Sequence, residues 1–353
     1  MEGKKQIKIS LTTAIILIVV LLVLVVGFVL FLNGDKKEIG TENNNDTKTT
    51  TTSIAEAKKT GYSSNDNTIL TDEYGNTVVL PAGFKIASDS EDVVTKGIVI
   101  EDITETATKG SQFVWIPVTK QDGTKIKTSK TDNEGIDIVL DRYIWNNNTL
   151  TAVGDMYIEF DGYNFTEDLK TESGNGKGGN AIANDIMDFC TKVKASGGYY
   201  IGRYEASNNS ETIAIKANQT AYTNITQQNA AAKCKNMYVE KTFTSDLMNS
   251  YAWDTALKFI QVCGNDGNYP NLNLSTAFAK TGNNGDEVLK INDMSGNAWE
   301  WTTETFGLSD YPCVARGGFY GADINKVYFN AIKRTPFTYY ANDFGSFRPI
   351  LYL

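Results

Sequence analysis

Apolar and polar positions divide the chain into three textures. Residues Ile9 to Leu32 form an almost unbroken apolar run, long enough as a helix to cross a hydrocarbon core of about 30 Å. Residues 33–66 are polar and of low complexity, with Asn43-Asn-Asn-Asp46 and Thr49-Thr-Thr-Thr52 near their centre. Such a segment buries too little surface to offset its ordering entropy and predicts a flexible stalk. From about Thr68 short β-like runs begin: Asn76-Thr-Val-Val-Leu80 before Pro81, Gly97-Ile-Val-Ile100, and Phe113-Val-Trp-Ile116 before Pro117.

Helical spacing of apolar residues recurs in three places. Ile182, Ile186, Phe189, Cys190 and Val193 predict a helix from Ala181 to about Ala195, stopped by Gly197-Gly198. A second helix is predicted near Thr226 to Met237. A third runs from about Ser250 to Val262, with Trp253, Leu257 and Ile260 on one stripe and Gly264 as its stop. Between the first two, Tyr199-Tyr-Ile-Gly-Arg-Tyr-Glu205 reads as a strand, while the Gly/Asn-rich stretch from Glu172 to Asn180 is loop chemistry. The expected fold class is α+β, with short strands, two to three helices and many loops.

Charge sets the orientation and narrows the partners. Lys4, Lys5 and Lys8 precede the apolar run, and the positive-inside rule keeps them cytoplasmic. The predicted organisation is a cytoplasmic tail (1–8), a transmembrane anchor (9–32), a stalk (33–66) and an ectodomain (67–353), placing the protein at the cell membrane, single-pass, with its ectodomain outside. A cleaved signal peptide fits less well, because the apolar run is too long and no Ala-x-Ala-like site follows it. A prepilin-type leader, which would make the chain a pilin-like subunit, is matched only in part by Lys8-Ile-Ser-Leu-Thr-Thr13. The whole chain carries −9; residues 1–32 hold three lysines and Glu2, so about −11 falls on the remainder. That acidity repels phosphate backbones and argues against nucleic acid as a partner.

Composition removes whole chemistries. The chain has no histidine, which excludes Ser-His-Asp triads and His-ligated zinc or iron. Its four cysteines (Cys190, Cys234, Cys263, Cys313) are widely spaced, with no Cys-x-x-Cys. Outside the cell they could form disulfides, although Cys190 and Cys263 sit in helix-like apolar runs and read as small packed hydrophobes.

The most informative segment is Asp293-Met-Ser-Gly-Asn-Ala-Trp-Glu-Trp-Thr302, followed by Arg316-Gly-Gly and by Ser346-Phe-Arg348. Two tryptophans flanking a glutamate behind turn-forming residues demand a buried, hydrogen-bonded or metal-tied loop. Asp293 and Glu300 bracket Gly296 and Ala298, a mix of carboxylates and backbone carbonyls suited to Ca²⁺. The alternative for Glu300 is a set of hydrogen bonds to backbone amides or a pair with an arginine.

These motifs resemble the Gly-Asn-Val/Ala-Trp-Glu-Trp signature, the Arg-Gly-Gly and the terminal Phe-Arg of the formylglycine-generating enzyme family, the sulfatase-modifying factors. Tyr199 to Ser207 and Ala252-Trp-Asp-Thr-Ala256 are similar to two further family segments, so the resemblance spans roughly Phe113 to Leu353. It implies a C-type-lectin-like fold and a Ca²⁺ loop formed by Asp293, Gly296, Ala298 and Glu300. Active members bind copper through two cysteines a few residues after Arg-Gly-Gly. Ungapped alignment puts Ala322 and Val327 at those positions, where neither side chain can ligate copper. The missing histidines exclude the family's iron-dependent branch. The resemblance thus implies a pseudo-enzyme without copper. An oxidase acting on peptide cysteine, with Cys313 recruited, is the alternative.

Between Arg316 and Arg348 the chain is rich in aromatic residues and asparagine. Tyr320, Asp323, Asn325, Tyr328, Asn330, Tyr339, Tyr340 and Asn342 are the candidate ligand-binding residues, since Tyr and Asn supply rigid amphipathic area and adaptable hydrogen bonding. Lectin-like proteins ending in Phe-Arg-Pro-x-Leu also resemble targets of diversity-generating retroelements, which implies an extracellular protein or glycan as ligand. In that setting Arg316 and Arg348 read as structural, pairing with buried carboxylates or carbonyls.

Overall fold

The computed structural model describes residues 52–104, 106–154, 157–160, 163–167, 185–210, 212–272, 277–306, 311–321, 330–338 and 340–353. The expected tail and anchor lie outside them. Among the described residues no helix is long and apolar enough to cross a membrane. The unit from Thr51 to Leu353 is α+β, with four α-helices and several small sheets among the described residues.

Two sheets dominate. In the first the strand order is Thr244–Leu247, Pro349–Tyr352, Gly198–Gly202, Gln112–Pro117, Val99–Asp102, Phe84–Ile86, every neighbouring pair antiparallel. Leu351 pairs with Tyr200 on one side and with Ser245 on the other, so the Pro349–Tyr352 strand is interior to the sheet. Gly198 is required here, because a Cβ would lie 2.3 Å from the Trp115 ring. In the second sheet Trp299–Phe306 pairs with Cys313–Arg316, with Tyr163–Glu167 and, in parallel, with Gly345–Phe347. The chain leaves the second sheet at Phe347 and enters the first at Pro349, leaving Arg348 at the crossing.

Helices form where caps and apolar stripes agree. Asn249 caps Ser250–Cys263 by accepting from the Ala252 N–H, and Trp253, Ala256, Leu257 and Ile260 are buried. Thr226 caps Gln227–Lys235. Ile186–Ser196 ends at Gly197, which adopts the left-handed conformation expected of a stop. Phe189 of that helix meets Tyr199 and Tyr352 edge-on, fixing it against the first sheet. One continuous buried cluster runs through these elements, including Trp115, Tyr199, Trp253, Trp301 and Leu351.

The expected stalk is corrected at its C-terminal end. Ile54–Thr60 is a helix that buries Ile54 and Ala57, and Ser53 bridges to Thr71. Ser53 caps it by accepting from the Glu56 N–H, and Gly61 ends it in the left-handed region. Two apolar residues suffice because they insert into a core built by the remainder of the unit.

Candidate functional site

The Asp293–Ala298 loop is held by carboxylates from elsewhere in the chain. Asp293 and Asn297 both take positive φ (67° and 65°), placing successive N–H groups inward. Asp286 accepts from the N–H groups of Asp293 (2.7 Å) and Ser295 (2.9 Å), from the Ser295 hydroxyl and from the Tyr269 hydroxyl. Glu205 accepts from the Ala298 N–H at 2.9 Å and from the Asn297 side-chain amide. Asp293 accepts from the Gly282 N–H at 2.7 Å through one carboxylate oxygen. Its other oxygen is buried without a partner among the described residues.

Glu300 is engaged differently. Both of its oxygens accept from Arg348, the Nε contact being 2.6 Å. The same guanidinium donates to the carbonyls of Gly202 (3.0 Å) and Asn292 (2.9 Å), joining the two sheets to the loop. Arg348 therefore occupies its expected structural role. The cluster assembles four carboxylates (Glu205, Asp286, Asp293, Glu300) around one guanidinium. Burial, followed by the neighbouring Asp293 and Glu300, pushes Glu205 well above the usual carboxylate range. Burial and Asp286 raise Asp293 to about 7. Burial raises Glu300 too, against the pull of Arg348. Arg348 itself is pushed up, because its carboxylate partners outweigh desolvation.

Measured against the expected calcium set, only Asp293 offers an available carboxylate oxygen. The Glu300 carboxylate is taken by Arg348, and a divalent ion bound to it would stand beside a guanidinium. Among the described residues no group of three or more Asp, Glu, Cys or His side chains is placed to hold a metal ion. Within the expected set Glu300 follows the arginine-pair alternative, while Asp293 keeps one buried carboxylate oxygen without a partner among the described residues.

A second buried cluster lies on the same Trp299–Phe306 strand. Glu304 accepts from Arg142, from Arg316 (3.3 Å) and from Arg334 (2.7 Å). Asp254 accepts from Arg316, Arg334 and the Tyr143 N–H. Three guanidiniums surround two carboxylates, and they hold Glu304 down at about 2 despite its burial. Arg316 stacks over the Trp253 ring with its central carbon 5.4 Å from the centroid. Its neighbour Gly317 has φ +81°, and a Cβ there would lie 2.8 Å from the Met294 carbonyl oxygen. This packing accounts for Arg316 and Gly317 of the Arg-Gly-Gly motif. Arg142, Arg334, Asp254, Glu304 and Glu205 were not among the sequence candidates. Only Glu304 had a local signal, since strand alternation aligns it with Glu300.

The candidate ligand-binding residues separate into four groups. Tyr340 (63 % exposed) and the half-buried Tyr320 reach the surface. Asn342 shapes the turn between them and the last sheet strands, accepting from the Phe344 N–H at 2.9 Å through its side chain and from the Asn224 N–H through its carbonyl. Asn330 is a correction: it is 5 % exposed, and its side-chain amide donates to Asn271 at 2.7 Å, so it is an internal brace. Asp323, Asn325, Tyr328 and Tyr339 lie outside the described residues, as do Ala322 and Val327.

Around Tyr320 a stack of rings rises from the core to the surface. Trp299 packs on Phe319 (4.3 Å), Phe319 on Phe344 (5.7 Å), Tyr320 on Phe344 (5.7 Å) and Phe278 on Tyr320 (4.9 Å). Phe278 and Phe344 remain 38 % and 41 % exposed. Phe278 was not a sequence candidate, and its place beside Tyr320 and Phe344 comes only with the fold. The four cysteines are free thiols; burial pushes Cys234 up and Cys263 up to about 12, away from reactive thiolate. Comparison with protein-family models, with curated proteins and with solved structures finds no match to this chain.

Proposed function

We propose that the chain is a membrane-anchored cell-surface protein that binds an extracellular protein or glycan. Its scaffold would be formylglycine-generating-enzyme-like and C-type-lectin-like, without the family's oxidase chemistry. The observation that carries this reading is the aromatic face formed by Phe278, Tyr320 and Phe344, with Tyr340 beside it in sequence. Rings rooted on Trp299 and Phe319 are rigid before any ligand arrives, so little side-chain entropy is lost on binding. Exposed, contiguous aromatic area of this kind marks recognition surfaces in soluble domains. The Cys234 and Cys263 thiols, raised by burial, give no support to thiolate chemistry at those two positions.

The test uses the full-length chain in a zwitterionic detergent, applied to arrays of extracellular proteins and glycans. Specific capture that is lost in Phe344→Ser and Tyr320→Ala, with melting unchanged, is the expected result. Failure of these variants to alter capture would move the binding site elsewhere. Copper-dependent oxygen uptake with a cysteine-containing peptide would sink the reading altogether.

A further inference from the structure

A groove of about 400 Å³ runs along the solvent side of the Gln227–Lys235 helix. That helix turns Gln227, Ala230, Ala231 and Cys234 into the core. The opposite stripe, at helical spacing, carries Asn229, Ala232, Lys233 and, just past the end, Asn236. Ala232 is the reason for the concavity: a one-carbon side chain lies between two asparagines, over the buried Ile225. The far wall is built from segments that tertiary bonds hold in place. Tyr222 leans on Phe347 with centroids 5.8 Å apart. Asn224 has positive φ (55°), and its N–H donates to the Asn342 carbonyl at 2.8 Å, which locks Ala341 as the rim. The volume falls within the ~300–1,000 Å³ of small-molecule sites.

The lining selects a chemical class. An asparagine amide both donates and accepts, so it can pair with a diol or with another amide. The side chains of Asn224, Asn229 and Asn236 make no hydrogen bond among the described residues, which leaves three such groups for a ligand. Tyr222 adds a ring face and a hydroxyl, and Ile225 with Ala232 adds a small apolar floor. Among the described lining residues Lys233 is the one charge and there is no carboxylate. A cation has no counter-charge here, and one lysine is a thin match for a polyanion. We propose that this groove is a carbohydrate subsite for a neutral oligosaccharide bearing acetamido groups. The acetamido amide pairs with asparagine, its methyl meets the Ile225–Ala232 floor, and a pyranose C–H face lies on Tyr222. This site does not rest on the aromatic face described above, and the two stand or fall separately.

The test is calorimetric titration of the full-length chain, in a detergent without a sugar headgroup, with N,N′-diacetylchitobiose, cellobiose and 3′-sialyllactose. Diacetylchitobiose is expected to bind, and cellobiose, lacking the acetamides, to bind about tenfold more weakly or worse. Hydrogen exchange on the wild-type chain should slow within residues 222–236 on adding diacetylchitobiose. Asn229→Ala should weaken binding about tenfold, and Ala232→Leu, a good helix former that fills the groove, should abolish it. No saturation with millimolar diacetylchitobiose, tighter binding of sialyllactose, or protection appearing at residues 278–344 instead of 222–236 would overturn the proposal.

Discussion

Two buried charge clusters share the strand Trp299–Phe306, one through Glu300 and the other through Glu304, and they are balanced in opposite ways. Around Glu304 three arginines face two carboxylates, and the glutamate is held down to about 2. Around Glu300 one arginine faces four carboxylates, and Glu205, Asp293 and Glu300 are all pushed up. The same residue type, four positions along one strand, is therefore held down in one cluster and pushed up in the other. Desolvation acts on both; the count of neighbouring cations decides the sign.

Removing the lone cation should have the largest effect. Arg348→Met leaves four carboxylates together and frees the Gly202 and Asn292 carbonyls, so a loss of about 3–5 kcal/mol is expected at pH 8. The loss should shrink at pH 5, where Asp293, raised to about 7, carries a proton and needs no counter-charge. Urea midpoints at the two pH values check this; equal losses would show that the cluster does not titrate as described.

Glu304→Gln should cost about 3 kcal/mol, and the cost should be the same at pH 6 and pH 8. The folded value is depressed, so its contribution is present above the ordinary glutamate range and is lost as pH falls toward about 2. A cost that varied between pH 6 and pH 8 would contradict an anchored carboxylate. A smaller effect of opposite sign is expected from Asp293→Asn, which keeps an acceptor for the Gly282 N–H. The folded value of Asp293 is raised, so the wild-type chain loses stability as pH rises from about 4 to about 7. The variant should lack that decline and be more stable by about 1–2 kcal/mol at pH 8, with no gain at pH 4. Thermal melts across this range decide it. The smallest effect is expected from calcium: with Glu300 held by Arg348, EGTA should leave the melting midpoint unchanged. A drop that Asp293→Asn abolished would restore the loop as a calcium site, with Glu205 in place of Glu300.

Local rules made much of the framework legible. Thr226 and the Ser250 region started helices where caps and apolar spacing agreed, and Gly197 stopped one. The strand around Phe113–Ile116 was visible because β-branched and aromatic residues crowd a short run before a proline. The Ile54–Thr60 helix was missed because its surroundings are polar. Its signal was nonetheless present in Ser53 and Glu56, three residues apart at a helix start, with Gly61 as the stop. The arginine roles at 316 and 348 were also readable, since guanidiniums beside glycine and aromatic residues have few exposed uses. Their partners were not. Glu205 reaches the Asp293–Ala298 loop across 93 residues of chain, a partnership that no local pattern shows. The same limit applied to Phe278, whose stacking on Tyr320 has no local pattern.

The interior position of Pro349–Tyr352 bears on how the unit is made as well as on how it is held. During synthesis the edges of Gly198–Gly202 and Thr244–Leu247 emerge long before the strand that separates them. Until that strand is delivered, both edges offer unpaired backbone to any passing chain. Arg348 arrives at the same moment, so the sheets and the carboxylate loop lock together in one late step. A nascent chain halted only a few residues short of Tyr352 would expose two sticky edges and an uncompensated acidic core, and would be handled by the cell as an unfolded protein.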